Sequence, residues 1–349
     1  MKGNRQANIE LLRILAMFMI LVIHANMISL PRPSQIDLTE APSPVIMRYF
    51  IESLGIVGVN IFVLISGWFH INTRAKSFMA LVFQVITLWG VIYLFLIVCG
   101  VAKLTVSGLL EVVFFTRWGW FIKAYIVLMI LAPVLNTFVE HSSEKQQRYV
   151  LIGFFLFSSS YGWLGGGNRF FVNGYGPLHF IGLYLLSSYA RNVSSGNIRT
   201  TTIIKSLFTL DKRIDILVYI ICVIINTMLG IWGLYNNKDI YGLVFAYINP
   251  FTIIGALYLM LFFSKLKISS SKIISFLATG SFAVYLVHSQ IDLRPFFTNG
   301  VLYLFEDNNG LLCIGVIFLY LILVYLLSIL IDLPRLWFWK RISDKYNIK

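Results

Sequence analysis

Apolar segments recur along the chain near residues 9–30, 50–70, 78–102, 118–139, 149–164, 177–190, 214–234, 243–263, 273–290 and 310–331. A run such as Ile9–Leu30 is long enough to cross the ~30 Å hydrocarbon core of a bilayer at ~1.5 Å per residue. Composition agrees: 58% of the residues are hydrophobic and 12% charged, with a mean hydropathy of +0.81, against roughly a quarter charged in a soluble domain. The expected fold class is an all-α polytopic membrane protein with about ten transmembrane helices. The longest loop, roughly 191–213, is too short for a soluble domain, so 1–349 reads as a single membrane domain. Lys2 and Arg5 precede the first run without a small-residue cleavage site after it, which predicts a retained first span. Segments five and six are short, and Gly165–Gly167 between them suggests a tight or re-entrant turn.

The net charge of +13 does not point to nucleic acid, because the basic residues are spread through short loops between apolar segments. With an even span count, most Lys and Arg fall on one side, including Arg191, Arg199, Lys205, Lys212 and Arg213 in one loop and Lys265, Lys267 and Lys272 in another. The positive-inside rule then places both termini in the cytoplasm. Trp118, Trp120, Trp337 and Trp339 fall at expected span ends, as an interfacial aromatic belt requires. Cys99, Cys222 and Cys313 all lie in apolar runs and propose neither a disulfide framework nor a metal site. Neither a phosphate-binding G-x-x-x-x-G-K-[ST] loop nor a G-x-S-x-G elbow is present, which leaves ATP-driven transport and serine-hydrolase chemistry unsupported. No internal repeat is visible, which disfavours the common inverted-repeat transporters.

Ionisable groups inside the expected spans are the functional candidates, because each costs several kcal/mol there. Arg13 and His24 are eleven residues apart, which at ~100° per residue puts them within about 20° on one stripe of the first helix. Glu10 lies one turn before Arg13 on nearly the same side. The competing structural reading is that Arg13 snorkels to headgroups and His24 is an interhelical donor. His179 and His288 lie at a depth similar to His24, and Tyr285 sits one turn before His288. Three histidines can form a zinc site, but no carboxylate or cysteine completes this set and none has local ligand spacing, so no metal is expected. In the second span Gly55, Gly58 and Gly67 permit close helix approach, and Ser66 can bond to its own backbone or across to a neighbour. His70, at the inner end of that span, reads as interfacial. Arg74 and Lys76 follow at the same membrane face and suit an anionic cofactor's phosphates, although a positive-inside loop explains them too. Lys123, near Tyr125, lies nearly two turns into the fourth span, where snorkelling and a site role are both open.

Glu10-Leu11-Leu12-Arg13 followed by His24 resembles the acidic-x-x-Arg and Arg-x10-His signature of the acyltransferase-3 membrane O-acyltransferases. Gly58-Val59 through Phe62 to Ser66-Gly67, Trp118/Trp120 to Pro133, and Ser281 through Tyr285 to His288 resemble later patterns of that family, in the same order. The resemblance implies transfer of an acyl group, commonly acetyl from acetyl-CoA, to a hydroxyl of a cell-surface glycan or its lipid-linked precursor. It implies a multi-pass protein of a bacterial cell membrane, with acyl-CoA as co-substrate and no tightly bound cofactor. The site residues it suggests are His24, Arg13 and Glu10 as catalytic, with Arg74 and Lys76 toward the cofactor. Ser66, Lys123, Tyr125, His179, Tyr285 and His288 are the candidates on the substrate side. An imidazole near its ordinary pKa of ~6.5 suits deprotonation of a sugar hydroxyl or covalent relay of the acyl group. Two departures stand out: no segment within residues 1–349 reads as the hydrolase-like domain that some members carry, and only Arg74 and Lys76 stand where some members carry a richer arginine motif. The alternatives are a secondary transporter or flippase for a glycolipid or small anion, with His24 and Glu10 relaying protons, and a structural membrane protein whose polar residues only pack.

Overall fold

The computed structural model describes residues 6–71, 74–113, 119–165, 168–308 and 310–346, the side chains at 168, 169 and 311 excepted. Lys2, Arg5, Trp118, Gly166, Gly167 and Lys349 lie outside this set. The principal helices are α1 (Ala7–Ile23), α2 (Pro42–Gly55), α3 (Gly58–Phe69), α4 (Ala75–Val98), α5 (Trp120–His141) and α6 (Glu144–Phe157). They continue with α7 (Pro177–Ser194), α8 (Lys212–Tyr235), α9 (Pro250–Ser264), α10 (Lys272–His288), α11 (Arg294–Glu306) and α12 (Gly310–Lys345). Short helices such as Gln35–Glu40, Val106–Val113 and Thr202–Phe208 occupy the connections, and no strand occurs among the described residues.

Among the described residues, six helical stretches are long and apolar enough to cross a membrane: Ala7–Ser29, Pro42–Phe69, Ala75–Val98, Trp120–His141, Lys212–Tyr235 and Leu312–Lys345. The other four segments anticipated as spans form shorter or less apolar helices, of which Pro250–Ser264 and Lys272–His288 are strongly apolar. Their shortness has local causes. Pro177 and Pro250 open α7 and α9 at a position that tolerates a missing N–H. The Asn249 side chain caps α9 by accepting from the Phe251 amide at 2.9 Å. The chain around Gly165 leaves α6 through a π-helical stretch, Ser158–Leu164, before the short Asn168–Phe171 helix.

Helix α1 packs on α10, α3 and α2, while α7 lies along α3 and α5, and α8 along α9 and α2. Inside a bilayer, lipid tails compete with Leu and Ile for apolar contact, so association rests on van der Waals fit and interhelical hydrogen bonds. Gly67 provides the fit between α3 and α7: a Cβ there would stand 2.3 Å from the Tyr184 carbonyl oxygen. The adjoining hydroxyls complete the seam, with Ser187 donating to the Leu64 carbonyl at 2.5 Å and Ser188 to the Gly67 carbonyl at 2.9 Å. Helix α1 changes form at one point. At His24 it widens into a π-helical turn over His24–Ser29, where the Ser29 hydroxyl donates to the His24 carbonyl at 3.0 Å. Such π-turns are rare and recur at functional sites.

Candidate active site

Two cavities lie along α1. The first, of about 400 Å³, is lined by His24, His288, Tyr285, Glu52, Arg32 and Arg294 among others. The second, of about 550 Å³, is lined by Arg13, Ser66, His70, Gln84, Tyr125 and Arg335 among others. Phe62, Phe121 and Phe282 line both and so form the wall between them. The rings are in contact, with Phe62 and Phe121 centroids 6.5 Å apart and Phe121 and Tyr285 centroids 5.4 Å apart. Arg13 lines the second cavity and His24 the first, with the aromatic wall between them. The two side chains serve neighbouring cavities.

At the first cavity, His24 Nδ1 and His288 Nε2 are 2.9 Å apart, and His288 Nδ1 is 2.5 Å from the Val284 carbonyl oxygen. A carbonyl can only accept, so His288 Nδ1 carries the proton and its Nε2 is left as an acceptor. His24 Nδ1 then donates to that acceptor, which leaves His24 Nε2 as the basic nitrogen. The backbone of α10, acting through His288, thus sets the tautomer of a residue on α1. The arrangement parallels the orienting partner of a Ser-His-Asp triad, with a neutral imidazole where the carboxylate stands. Tyr285, one turn before His288, reaches over Gly119, where a Cβ would stand 2.7 Å from the tyrosine oxygen.

Three cavity groups carry no motif spacing in the sequence: Glu52, Arg32 and Arg294. Glu52 is buried and accepts from Asn26 Nδ2 and the Tyr241 hydroxyl, both at 3.0 Å. Arg48 donates to Asn26 Oδ1 at 3.2 Å, tying α2 to the π-turn. These contacts bring together positions up to 189 residues apart, so no local pattern announces them.

At the second cavity, Ser66 makes both contacts anticipated for it, donating to the Phe62 carbonyl and pairing with the Tyr125 hydroxyl, each at 3.0 Å. His70, read as interfacial, lines this cavity, where it ends α3 with a φ of +59°. Arg335 is buried and forked by Asp332, with Nε to Oδ1 at 2.7 Å and Nη2 to Oδ2 at 2.5 Å. Gln84 donates to the same carboxylate at 3.1 Å. Arg74 and Lys76 stand at the start of α4, whose next turns supply Ser77, Ala80 and Leu81 to the cavity wall. Glu10 is buried and accepts from Ser275 at 2.7 Å, between α1 and α10.

Neither His179 nor Lys123 lines either cavity. His179 is fully buried, its Nε2 3.1 Å from Asn60 Oδ1, while Asn60 Nδ2 donates to the Tyr247 carbonyl at 2.9 Å. It is thereby separated from the His24–His288 pair, and no group of three or more potential metal ligands occurs among the described residues. Lys123 is exposed on α5. Ser281, from the late motif, pairs with the Tyr325 hydroxyl at 2.8 Å and joins α10 to α12.

The family model described as an acyltransferase domain, of the acyltransferase-3 type, matches residues 6–333. The chain belongs to the acyltransferase-3 family. No curated protein and no solved structure matches it. As a membrane acyltransferase, it contains the whole wall of the first cavity within the matched range. In the second cavity, Arg335, Leu336 and Trp339 stand beyond residue 333.

Proposed function

We propose that this acyltransferase moves an acyl group, acetyl by resemblance to its family, from acyl-CoA to a hydroxyl of a cell-surface glycan or its lipid-linked precursor. The observation that carries the reading is the His24–His288 pair, with its tautomer set by the Val284 carbonyl, beside an aromatic wall that divides two cavities. The donor approaches through the second cavity, where Arg13 faces it and Arg74 and Lys76 at the start of α4 meet the phosphates. The acceptor occupies the first cavity. His24 Nε2 takes the proton from the acceptor hydroxyl as its oxygen attacks the thioester carbonyl. The carbon–sulfur bond breaks, and the imidazolium returns that proton to the departing thiolate. His288 Nε2 holds His24 through its Nδ1–H and stabilises the transient imidazolium.

The setting is the bacterial cell membrane, with ten spans and both termini cytoplasmic, a placement supported by the clustering of Lys and Arg in alternate loops. That orientation puts Arg13 toward the side where acyl-CoA is made.

The test is transfer of radiolabelled acetyl from acetyl-CoA in membranes carrying the wild type or His24→Ala, with mass spectrometry of the surface polysaccharide. Loss of a general base costs roughly 10²- to 10⁴-fold, so glycan acylation should vanish in the variant while insertion is retained. Near wild-type acylation by well-expressed His24→Ala would remove His24 from catalysis. Absence of donor consumption in the wild type would overturn the choice of donor.

A further inference from the structure

The charge around the first cavity is unbalanced in a way that acyl transfer to a neutral alcohol does not need. Its titratable lining consists of His24, His288, Glu52, Arg32 and Arg294, together with tyrosines. Both oxygens of Glu52 are occupied by Asn26 and Tyr241. Arg32 and Arg294 are exposed, and no salt bridge to either is formed among the described residues. They contrast with Arg335 in the neighbouring cavity, whose fork is filled by Asp332. Asp292, close to Arg294 in sequence, accepts from the Gln290 side chain at 2.8 Å. The Arg32 guanidinium carbon lies over the Tyr241 ring, 4.1 Å from its centre, a cation–π contact that leaves the N–H groups without a carboxylate partner among the described residues. Arg294 starts α11, which packs against the π-turn that carries His24. In the same cavity wall, Trp120 stacks on Tyr247 with centroids 5.5 Å apart, and Tyr175 meets Trp120 edge-on at 4.5 Å. The cavity therefore offers flat aromatic faces beside two cationic forks, and its volume of about 400 Å³ suits a small-molecule moiety.

We propose that Arg32 and Arg294 are specificity-determining residues that clamp an anionic group of the acceptor, a carboxylate or phosphate close to the hydroxyl that His24 activates. The inference rests on the acyltransferase reading and adds a requirement to it: the acceptor is acidic. A planar guanidinium takes two oxygens of a carboxylate or phosphate at once, so the clamp would fix orientation as well as location. The anion has two sources with the same chemistry, an acidic sugar or the phosphate linkage of a lipid-borne glycan.

Binding tests this without turnover. The full chain in lipid nanodiscs is titrated with fluorescently labelled tetragalacturonate and with its carboxyl-reduced, neutral counterpart, with inorganic pyrophosphate and adenosine 3′,5′-bisphosphate as competitors. Each charged hydrogen-bonded fork should contribute roughly tenfold in affinity. An acidic sugar is indicated if tetragalacturonate binds at least about tenfold more tightly than the neutral oligomer. A phosphate linkage is indicated if pyrophosphate binds the site more tightly than tetragalacturonate does. In either case the preference should shrink in Arg294→Gln and disappear in Arg32→Gln/Arg294→Gln, with unchanged melting temperature. The clamp is overturned if the acidic and neutral oligomers bind equally and pyrophosphate does not bind. It is also overturned if the preference survives in the double variant, or if only the bisphosphate binds through these arginines, which would put the donor in this cavity. Donor consumption, measured separately, keeps a failure of the clamp distinct from a failure of acyl transfer.

Discussion

His288 never needs to touch a substrate to matter, because it fixes which nitrogen of His24 is basic. Replacing His288 with Ala removes the acceptor for His24 Nδ1–H, found at 2.9 Å, and frees the His24 ring to take either tautomer. The expected result is a fall in kcat of roughly 10²-fold with little change in the donor KM. His288→Gln, whose amide oxygen can accept the same N–H, should recover part of it. Equal losses in the two variants would mean that His288 acts by packing alone. Arg13, on the far side of the aromatic wall, is tested by charge-conserving exchange. A role that uses the planar fork predicts a roughly tenfold higher donor KM in Arg13→Lys, whereas mere snorkelling predicts no change. Steady-state kinetics in membranes separates the two.

The seam between α3 and α7 depends on a backbone approach that only glycine permits. A methyl group at residue 67 would stand 2.3 Å from the Tyr184 carbonyl oxygen, which belongs to a helix and cannot swing aside. Gly67→Ala should therefore lower stability by about 1–3 kcal/mol, the usual range for overpacking, read as a lower melting temperature in detergent. Gly153 on α6 has nothing within 4 Å of its ideal Cβ. Gly153→Ala is the matched control and should melt at or slightly above the wild-type temperature. A wild-type melting curve for Gly67→Ala would show that the helices separate easily at this point. The π-turn at His24 belongs to the same level of organisation. By widening α1 over His24–Ser29, it lets Asn26 reach Glu52 and Arg48 while His24 reaches α10.

Phe62, Phe121 and Phe282 line both cavities, so under the proposed reaction, with donor and acceptor in separate cavities, the aromatic wall would act as a selectivity device for the acyl group. Phe282→Ala should admit longer acyl chains, raising the ratio of butyryl to acetyl transfer by roughly tenfold, the usual worth of one or two methylene groups in an apolar site. An unchanged ratio would move chain selection away from the wall. Orientation is checked by impermeant cysteine labelling in a background without Cys99, Cys222 and Cys313. Substitutions at Ser34, Asn173 and Asn308 should label from outside, and those at Ser195 and Ser270 should not. Failure at Asn173 alone would identify the segments flanking Gly165 as a re-entrant pair, and labelling at Ser195 would invert that loop.

The sequence by itself determined the class of the molecule and its most informative helix. Apolar run length and low charge follow directly from composition, and the spacing of Arg13 and His24 follows from helical periodicity. Both are local properties, as is the ordered set of motifs that placed the chain in its family. Tertiary structure decided what stands opposite those residues. His288 meets His24 across 264 positions, and Tyr241 meets Glu52 across 189. His179, equally conspicuous in the sequence, is turned to Asn60 instead. Helical periodicity specifies which face a side chain occupies, but which helix covers that face depends on close approaches such as Gly67 on Tyr184. The separation of Arg13 and His24 into two cavities arises the same way, because Phe62, Phe121 and Phe282 come from three separate helices.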